Sequence, residues 1–186
     1  ISKVMNFINL SLEPAYLIEQ DLFKDDRGFF FRYFSKEDFA QIGHTKEWIQ
    51  MNHSFTALKG TIRGMHYQLS PNQEIKLVRC VSGSVFDVII DMRQSSPNYL
   101  KWLGFELNAN NKNALYIPEG FAHGFLTLSD SSDLLYKATA SYSLNHERCV
   151  LWNDKTLNIN WPIDIEIKLS TKHYLGTNFN CCELFP

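Results

Sequence analysis

The sequence has few cysteines, no long apolar run and no excess of basic residues. No two of its four cysteines (Cys80, Cys149, Cys181 and Cys182) have the C-x-x-C spacing of a zinc or redox site. A net charge of -2 lacks the basic excess of an electrostatic nucleic-acid binder. No apolar run reaches the length that crosses a bilayer, and residues 1–12 lack a signal-peptide pattern. We therefore expect free thiols in a reducing cytoplasm, with no nucleic-acid or membrane partner.

Short strand-like segments separated by turn residues make up most of the 186 residues. The length and the 45% hydrophobic composition predict a single domain over residues 1–186. Strands are predicted at 16–23, 29–34, 48–55, 60–68, 75–81, 85–91, 102–107, 114–117, 121–129, 134–142 and 149–152. This spacing is typical of an all-β sandwich or barrel.

Two local signals refine this prediction. Ser35 is an N-cap candidate for a short helix that ends near Gly43. Ser82-Gly83-Ser84 is typical of a hairpin turn, and the segments 121–129 and 134–142 are expected to form a further pair.

Residues 60–68 place an arginine and a histidine in a strand-like segment, and Lys76 follows in the next segment. Side chains alternate between faces, so Arg63 and His66 point in opposite directions in a regular strand. They share a face only if the strand is irregular, for instance with Gly64 in a bulge. A base with two cations suits a reaction that generates an anion.

Residues 117–125 contain Pro118, Gly120 and His123 in the pattern P-x-G-x-x-H, which resembles the second motif of the cupin superfamily. Cupins are double-sheet jelly rolls in which this histidine is often a metal ligand. The corresponding first motif has one histidine, His66, and no well-placed carboxylate, which makes a poor metal site. We therefore expect a metal-free cupin. Taken alone, His123 is better interpreted as a hydrogen-bonded core histidine.

Tyr136 follows the apolar pair Leu134-Leu135 in another strand-like segment. Such a tyrosine is usually a core residue with its hydroxyl at the rim. It could instead be a general acid that faces His66 across a cavity. The local pattern favours the core interpretation and leaves the second open.

A longer set of segments covers nearly the whole chain in order and resembles the dTDP-4-dehydrorhamnose 3,5-epimerase family of deoxysugar-nucleotide epimerases. The segments include Asp26-Arg27-Gly28-Phe29-Phe30, Gln50-Met51-Asn52-His53-Ser54, Arg63-Gly64-Met65-His66-Tyr67-Gln68, Lys76-Leu77-Val78, Phe86-Asp87-Val88, Tyr136-Lys137 and Trp152-Asn153-Asp154. The resemblance implies an all-β cupin-type double-sheet jelly roll with minor helices.

The resemblance also implies a role for each matching residue. His66 is expected to remove the proton beside a C4 ketone, and Tyr136 to return a proton on the opposite face. Lys76 and Arg63 are expected to stabilise the C4 oxygen as an enolate. The expected contacts to the sugar nucleotide are Arg27, Gln50, Asn52, His123, Glu147 and Lys172. The resemblance implies no cofactor, and a homodimer in which Arg27 reaches the neighbour's site.

Three positions differ from the family pattern. His173 stands where the family has an aspartate that orients and charges the catalytic histidine, and a histidine cannot be an anion. This predicts a weaker base and a preference for one carbon. His173→Asp is expected to raise the exchange rate unless another carboxylate has taken the position. Arg32 replaces a usual glutamate, and Ser141 replaces an aromatic that often stacks on the nucleotide base.

The expected function is therefore epimerisation at C3, C5 or both of a nucleotide-activated 4-keto-6-deoxyhexose. One alternative is a single-carbon epimerase or a ketoisomerase on a related sugar nucleotide. Another is a cupin that binds a sugar nucleotide without catalysis. The presence of His66, Lys76 and Tyr136 argues against a pure binder, which has no need of all three.

Overall fold

The computed structural model describes residues 5–162, 164, 166–169 and 176–185, and its regular elements are mainly short β-strands. The strands are β1 (Met5–Asn9), β2 (Tyr16–Gln20), β3 (Phe23–Asp25), β4 (Gly28–Phe30), β5 (Gln50–Thr56), β6 (Ile62–Gln68), β7 (Lys76–Ser82), β8 (Ser84–Asp91), β9 (Trp102–Asn108), β10 (Ala114–Ile117), β11 (Phe121–Thr127), β12 (Ser132–Ala138) and β13 (Glu147–Cys149). A helix, α1 (Lys36–Ala40), and a 3-10 turn (Phe179–Cys181) complete the described elements.

The strands form two larger antiparallel sheets and a small hairpin. The six-stranded sheet has the order β1-β2-β10-β7-β12-β5, and the five-stranded sheet has the order β13-β6-β11-β8-β9. Strands β3 and β4 pair only with each other in this topology. The prediction of an all-β, double-sheet fold with minor helices is confirmed.

The predicted helix start is also confirmed. The Ser35 hydroxyl accepts a hydrogen bond from the backbone N–H of Asp38 at 3.0 Å, which satisfies one of the free donors of the first turn. Helix α1 ends at Ala40, and the turn that follows reaches Gly43 with φ +79°. Phe39 is the buried residue of the helix, and it anchors α1 on the outer face of the six-stranded sheet.

Both predicted strand pairings are wrong. Gly83, with φ +73°, joins β7 to β8, but β7 lies in the six-stranded sheet and β8 in the five-stranded sheet. Likewise, β11 lies in the five-stranded sheet and β12 in the six-stranded sheet. In each case the chain crosses from one sheet to the other instead of pairing with the strand it has just left, because each of these strands has its hydrogen-bonding neighbours elsewhere in the sequence.

Several predicted strand boundaries also differ from the structure. Strand β1 was not predicted, and the predicted strand 16–23 is divided between β2 and β3. Three predicted strands, 29–34, 134–142 and 149–152, stop earlier in the structure, at Phe30, Ala138 and Cys149 respectively. Between β4 and α1, Tyr33 and Phe34 pack on the outer apolar cluster of the six-stranded sheet. These two residues are therefore hydrophobic because their side chains pack on this cluster, and they do not belong to a strand.

Alternation along the strands separates an inner core from two outer ones. Val78, Cys80, Val85, Ile89 and Leu115 belong to the cluster between the sheets. The intervening residues of the same strands, such as Leu77 and Val88, belong to clusters on the outer faces. Polar residues occupy inward positions beside the inner cluster, and the candidate site lies there. Among the described residues, no helix is long and apolar enough to span a membrane.

Candidate active site

A cavity of about 370 Å³ lies between the two sheets, beside the inner apolar cluster. Phe125 and Leu134 belong both to that cluster and to the cavity wall. Most of the predicted site residues line the cavity: Gln50, Asn52, Arg63, His66, Lys76, His123, Tyr136 and Glu147. The structure thus brings these residues together around one cavity.

The six-stranded sheet supplies its site residues by regular alternation. On β5, Gln50, Asn52 and Ser54 line the cavity, while Met51 between the first two and Phe55 after the last are exposed. The pairing of β5 with β12 then places Asn52 opposite Tyr136. Strand β7 pairs with the other edge of β12 and brings Lys76 opposite Ala138, two residues along from Tyr136. These side chains share the inner face because residues two apart on a strand point the same way.

The five-stranded sheet supplies Arg63 and His66 through an irregularity in β6. His66 pairs with His123 of β11, and Arg63 pairs with Phe125. Three steps along β6 thus match two steps along β11, so β6 carries one extra residue. The extra residue puts Arg63 and His66 on one face, which is the irregularity that the two side chains need in order to share a site.

Gly64 is the residue that permits this bulge. Its φ is +130°, a conformation that L side chains rarely adopt. A Cβ atom at this position would lie 2.5 Å from the Cα of Gly124 and 2.8 Å from the carbonyl oxygen of His123. The backbones of β6 and β11 therefore approach too closely for any side chain at residue 64.

The two cations of the site have fixed positions. The Lys76 ammonium lies 3.1 Å from a carboxylate oxygen of Glu74, and both side chains are largely buried. The Arg63 Nε donates to the Thr56 hydroxyl at 3.0 Å. Preorganised cations of this kind stabilise a negative charge that develops on a bound oxygen.

His66 is in contact with a carboxylate. Its Nδ1 lies 3.2 Å from Oε1 of Glu147, whose side chain is 12% exposed. The hydroxyl of Tyr142 donates to the other oxygen, Oε2, at 2.7 Å. Glu147, which was expected to contact the sugar nucleotide, thus also contacts His66, the expected base.

His123 is anchored by a second carboxylate. Its Nε2 lies 2.9 Å and 3.0 Å from the two oxygens of Asp87, which is fully buried on β8. His123 is therefore hydrogen-bonded, as the core interpretation predicted, and it lines the cavity as well. The two interpretations are not exclusive, because a strand residue can face the cavity and be held from behind.

The environment of Tyr136 keeps its hydroxyl protonated. Burial raises the pKa of this phenol above its ordinary value of 10.0, the negative charges of Glu74 and Glu147 add to the shift, and Arg63 opposes it. A partly buried, protonated phenol that lines the cavity can donate a proton to a bound substrate. The structure thus favours the interpretation that the local sequence pattern left open.

Three site residues were missed by the sequence analysis: Glu74, Asp87 and Tyr142. Asp87 could have been found, because a carboxylate inside the apolar segment Phe86-Asp87-Val88 requires a buried partner. Glu74 and Tyr142 lie outside the strands and give no such signal. Tyr142 also bears on the departure at Ser141, since it places an aromatic ring at the cavity one residue further along.

Three predicted residues are not placed in the cavity. Arg27 lies between β3 and β4, where its side chain is 90% exposed and pairs with Asp25. Lys172 and His173 lie outside the described residues. Among the residues that the structure does describe, no three histidine, cysteine, aspartate or glutamate side chains are grouped as a metal site would require.

Comparison with known proteins identifies one family. The family model of dTDP-4-dehydrorhamnose 3,5-epimerase matches residues 9–180. A relative from Shigella flexneri named dTDP-4-dehydrorhamnose 3,5-epimerase is 46% identical over 182 residues, which is 97% of this chain and 99% of the relative.

Two solved structures have the same fold. The dTDP-6-deoxy-D-glucose-3,5-epimerase of Legionella pneumophila, in complex with dTDP-4-keto-L-rhamnose, superposes with a TM-score of 0.92 at 37% identity and covers 96% of this chain and 95% of its own. A 3'-monoepimerase from Streptomyces bikiniensis in complex with dTDP-quinovose gives a TM-score of 0.83 at 34% identity, with coverage of 89% and 83%. The likeness to these epimerases confirms the predicted cupin-type jelly roll. The chain belongs to the dTDP-4-dehydrorhamnose 3,5-epimerase family.

Proposed function

We propose that this protein is an isomerase that inverts C3, C5 or both of a dTDP-linked 4-keto-6-deoxyhexose. The observation that carries the proposal is the one-residue bulge in β6. It turns Arg63 and His66 to the same face, opposite Lys76 and Tyr136 on the other sheet, and so assembles a base, two cations and an acid around one cavity. The printed ligand of the Legionella relative, dTDP-4-keto-L-rhamnose, supports the substrate class.

The chemistry follows from these groups. His66 removes a proton from the carbon beside the C4 ketone, and the electron pair moves onto the ketone oxygen as an enolate. Lys76 and Arg63 lie where fixed positive charge can stabilise that oxygen. Tyr136 then gives its hydroxyl proton to the carbon on the face opposite His66, which inverts the centre. Solvent restores the proton of Tyr136 and takes the proton from His66. The protein residues supply every step, and no metal or other cofactor is needed.

Gln50, Asn52, His123 and Glu147 are proposed to contact the sugar nucleotide, and Lys172 and Arg27 to complete its site. For Arg27 we propose that the site is that of a partner subunit in a homodimer. Its hairpin carries Phe23, Phe29 and Phe30, which are 50%, 56% and 68% exposed in a single chain. Apolar side chains so exposed are typical of an interface. We further propose that residues 1–186 work as one domain in the cytoplasm.

A single-carbon epimerase is the second candidate. The structural likeness to a 3'-monoepimerase favours it, because that enzyme has the same fold as the 3,5-epimerases. A binder without catalysis is disfavoured by the cavity itself, which holds an acid, a base and two cations beyond what recognition of a sugar nucleotide requires.

Proton NMR in deuterated water with dTDP-4-keto-6-deoxyglucose tests these proposals. We expect deuterium at C3, at C5 or at both, and the position of the label separates the two epimerase candidates. His66→Asn should abolish the exchange and leave the melting temperature and dTDP binding unchanged. His53→Asn is the matched control, because His53 lies on β5 and pairs with Asp133 outside the cavity. Absence of label with the wild-type protein would refute the epimerase proposal, and exchange at the native rate in His66→Asn would refute the assigned base.

A further inference from the structure

We propose that Glu147 is the positioning residue of the catalytic base. From the rim of the five-stranded sheet, its carboxylate contacts His66 and stabilises the protonated form of the imidazole. This inference rests on the proposed function and assigns Glu147 a task beyond contact with the sugar nucleotide. The pairing of β13 with β6 places it there. Cys149 is opposite His66 and Glu147 is opposite Gln68, so Glu147 and His66 are diagonal neighbours on one face.

The contact between the two side chains is close and protected from water. Oε1 of Glu147 lies 3.2 Å from Nδ1 of His66, and this nitrogen is buried. A carboxylate at Nδ1 stabilises the imidazolium that forms when His66 accepts a proton. The negative charge therefore makes His66 a stronger base.

Tyr142 fixes the orientation of the carboxylate. Its hydroxyl donates to Oε2 of Glu147 at 2.7 Å, so one oxygen is held by the phenol while the other lies at His66. Tyr142 is about half exposed and lines the cavity. A bound substrate that orders Tyr142 would therefore also order the pair of Glu147 and His66.

The other charged groups around His66 have partners that explain their positions. From β11, His123 faces His66 and is bound to Asp87. From the six-stranded sheet, Lys76 is paired with Glu74.

Two further groups face the same cavity. Arg63 lies on the face of β6 that carries His66, and Tyr136 faces the cavity from β12. The cations Arg63 and Lys76 disfavour a charged imidazole, whereas Glu147 favours it. The carboxylate of Glu147 thus offsets the cations that the enolate requires.

Glu147→Gln is the central test, because it keeps the size of the side chain and removes its charge. We expect the deuterium exchange rate at saturating substrate to fall by about 10- to 100-fold. Binding of dTDP is measured beside the rate, because Glu147 is also proposed to contact the sugar nucleotide, and the rates are therefore compared at saturation of each variant. Glu147→Asp should recover part of the rate, and Tyr142→Phe should lose less than Glu147→Gln.

The pH dependence of exchange distinguishes a positioning role from a structural one. Without the carboxylate, His66 holds its proton less firmly, so the acid limb of the rate profile should move to lower pH in Glu147→Gln while the plateau falls. Glu183→Gln is the matched control. Glu183 is bound by Arg148, the residue next to Glu147 on β13, and it lies outside the cavity. Its rate and its profile should remain those of the wild type.

The outcomes separate this proposal from the proposed function. Suppose that the wild type exchanges deuterium and His66→Asn does not, while Glu147→Gln keeps the native rate and the native acid limb. This result would overturn the role of Glu147 and leave the epimerase assignment standing. Loss of dTDP affinity with a native rate at saturation would also overturn it, because Glu147 would then be a binding residue alone. If Glu147→Gln fails to fold, Glu147→Asp and Tyr142→Phe carry the same test. A native acid limb in both of them would overturn the proposal.

Discussion

Replacement of Gly64 by alanine tests whether the bulge in β6 creates the site. The added Cβ would lie 2.5 Å from the Cα of Gly124 and 2.8 Å from the carbonyl oxygen of His123. Both contacts are with backbone, so a side-chain rotation cannot relieve them. A positive φ costs an alanine about 1–2 kcal/mol, and overpacking adds about 1–3 kcal/mol. We therefore expect the free energy of unfolding to fall by roughly 2–5 kcal/mol.

The catalytic effect should be larger than the loss of stability suggests. Strands β6 and β11 must separate to admit the methyl group, and Arg63 and His66 then move relative to Lys76 and Tyr136. A displacement of about 1 Å can cost about 100-fold in rate. Deuterium exchange at a temperature where the variant is folded measures this loss, and thermal or denaturant unfolding measures the stability.

Gly43→Ala is the control for the backbone conformation. Gly43 also has a positive φ, +79°, but a Cβ there meets no atom within 4 Å. It should lose about 1–2 kcal/mol of stability and none of its exchange activity. A Gly64→Ala protein with native stability and native exchange would refute the argument that this glycine aligns the base with the cations.

Four further predictions concern the site and the assembly. Activity should survive exhaustive chelation, and loss of a stoichiometric metal together with activity would contradict the metal-free proposal. Phe30→Asp should yield monomers in light scattering, and mixed Arg27→Ala and His66→Asn subunits should regain about a quarter of native activity if Arg27 serves the partner's site. Since Glu147 already lies at His66, His173→Asp should change the native rate little but restore part of the rate lost in Glu147→Gln; no restoration would place residue 173 away from the base. Because burial raises the pKa of Tyr136 above 10.0, epimerisation should stay level from pH 7 to about 10, and a fall caused by this residue below pH 9 would contradict its role as acid.

The sequence by itself indicated most of the strands, and it indicated the residue types from which a site could be built. A strand was predicted at residues 48–55, and β5 covers Gln50–Thr56. Ser35 indicated the helix N-cap that it forms, and Gly64 indicated where β6 could be irregular. These signals are local: they depend on the period of a strand, on a side chain that reaches its own backbone, and on a conformation open only to glycine.

The tertiary structure alone decided which strands are neighbours and which partners the site residues have. Ser82-Gly83-Ser84 is typical of a hairpin, yet β7 and β8 belong to opposite sheets. The contacts of Glu147 with His66 and of Asp87 with His123 join residues far apart in sequence. Alternation fixes the face of a strand but not its neighbour, because pairing depends on how all the strands together bury their apolar faces. The carboxylate at the base was therefore visible only once β13 was seen to pair with β6.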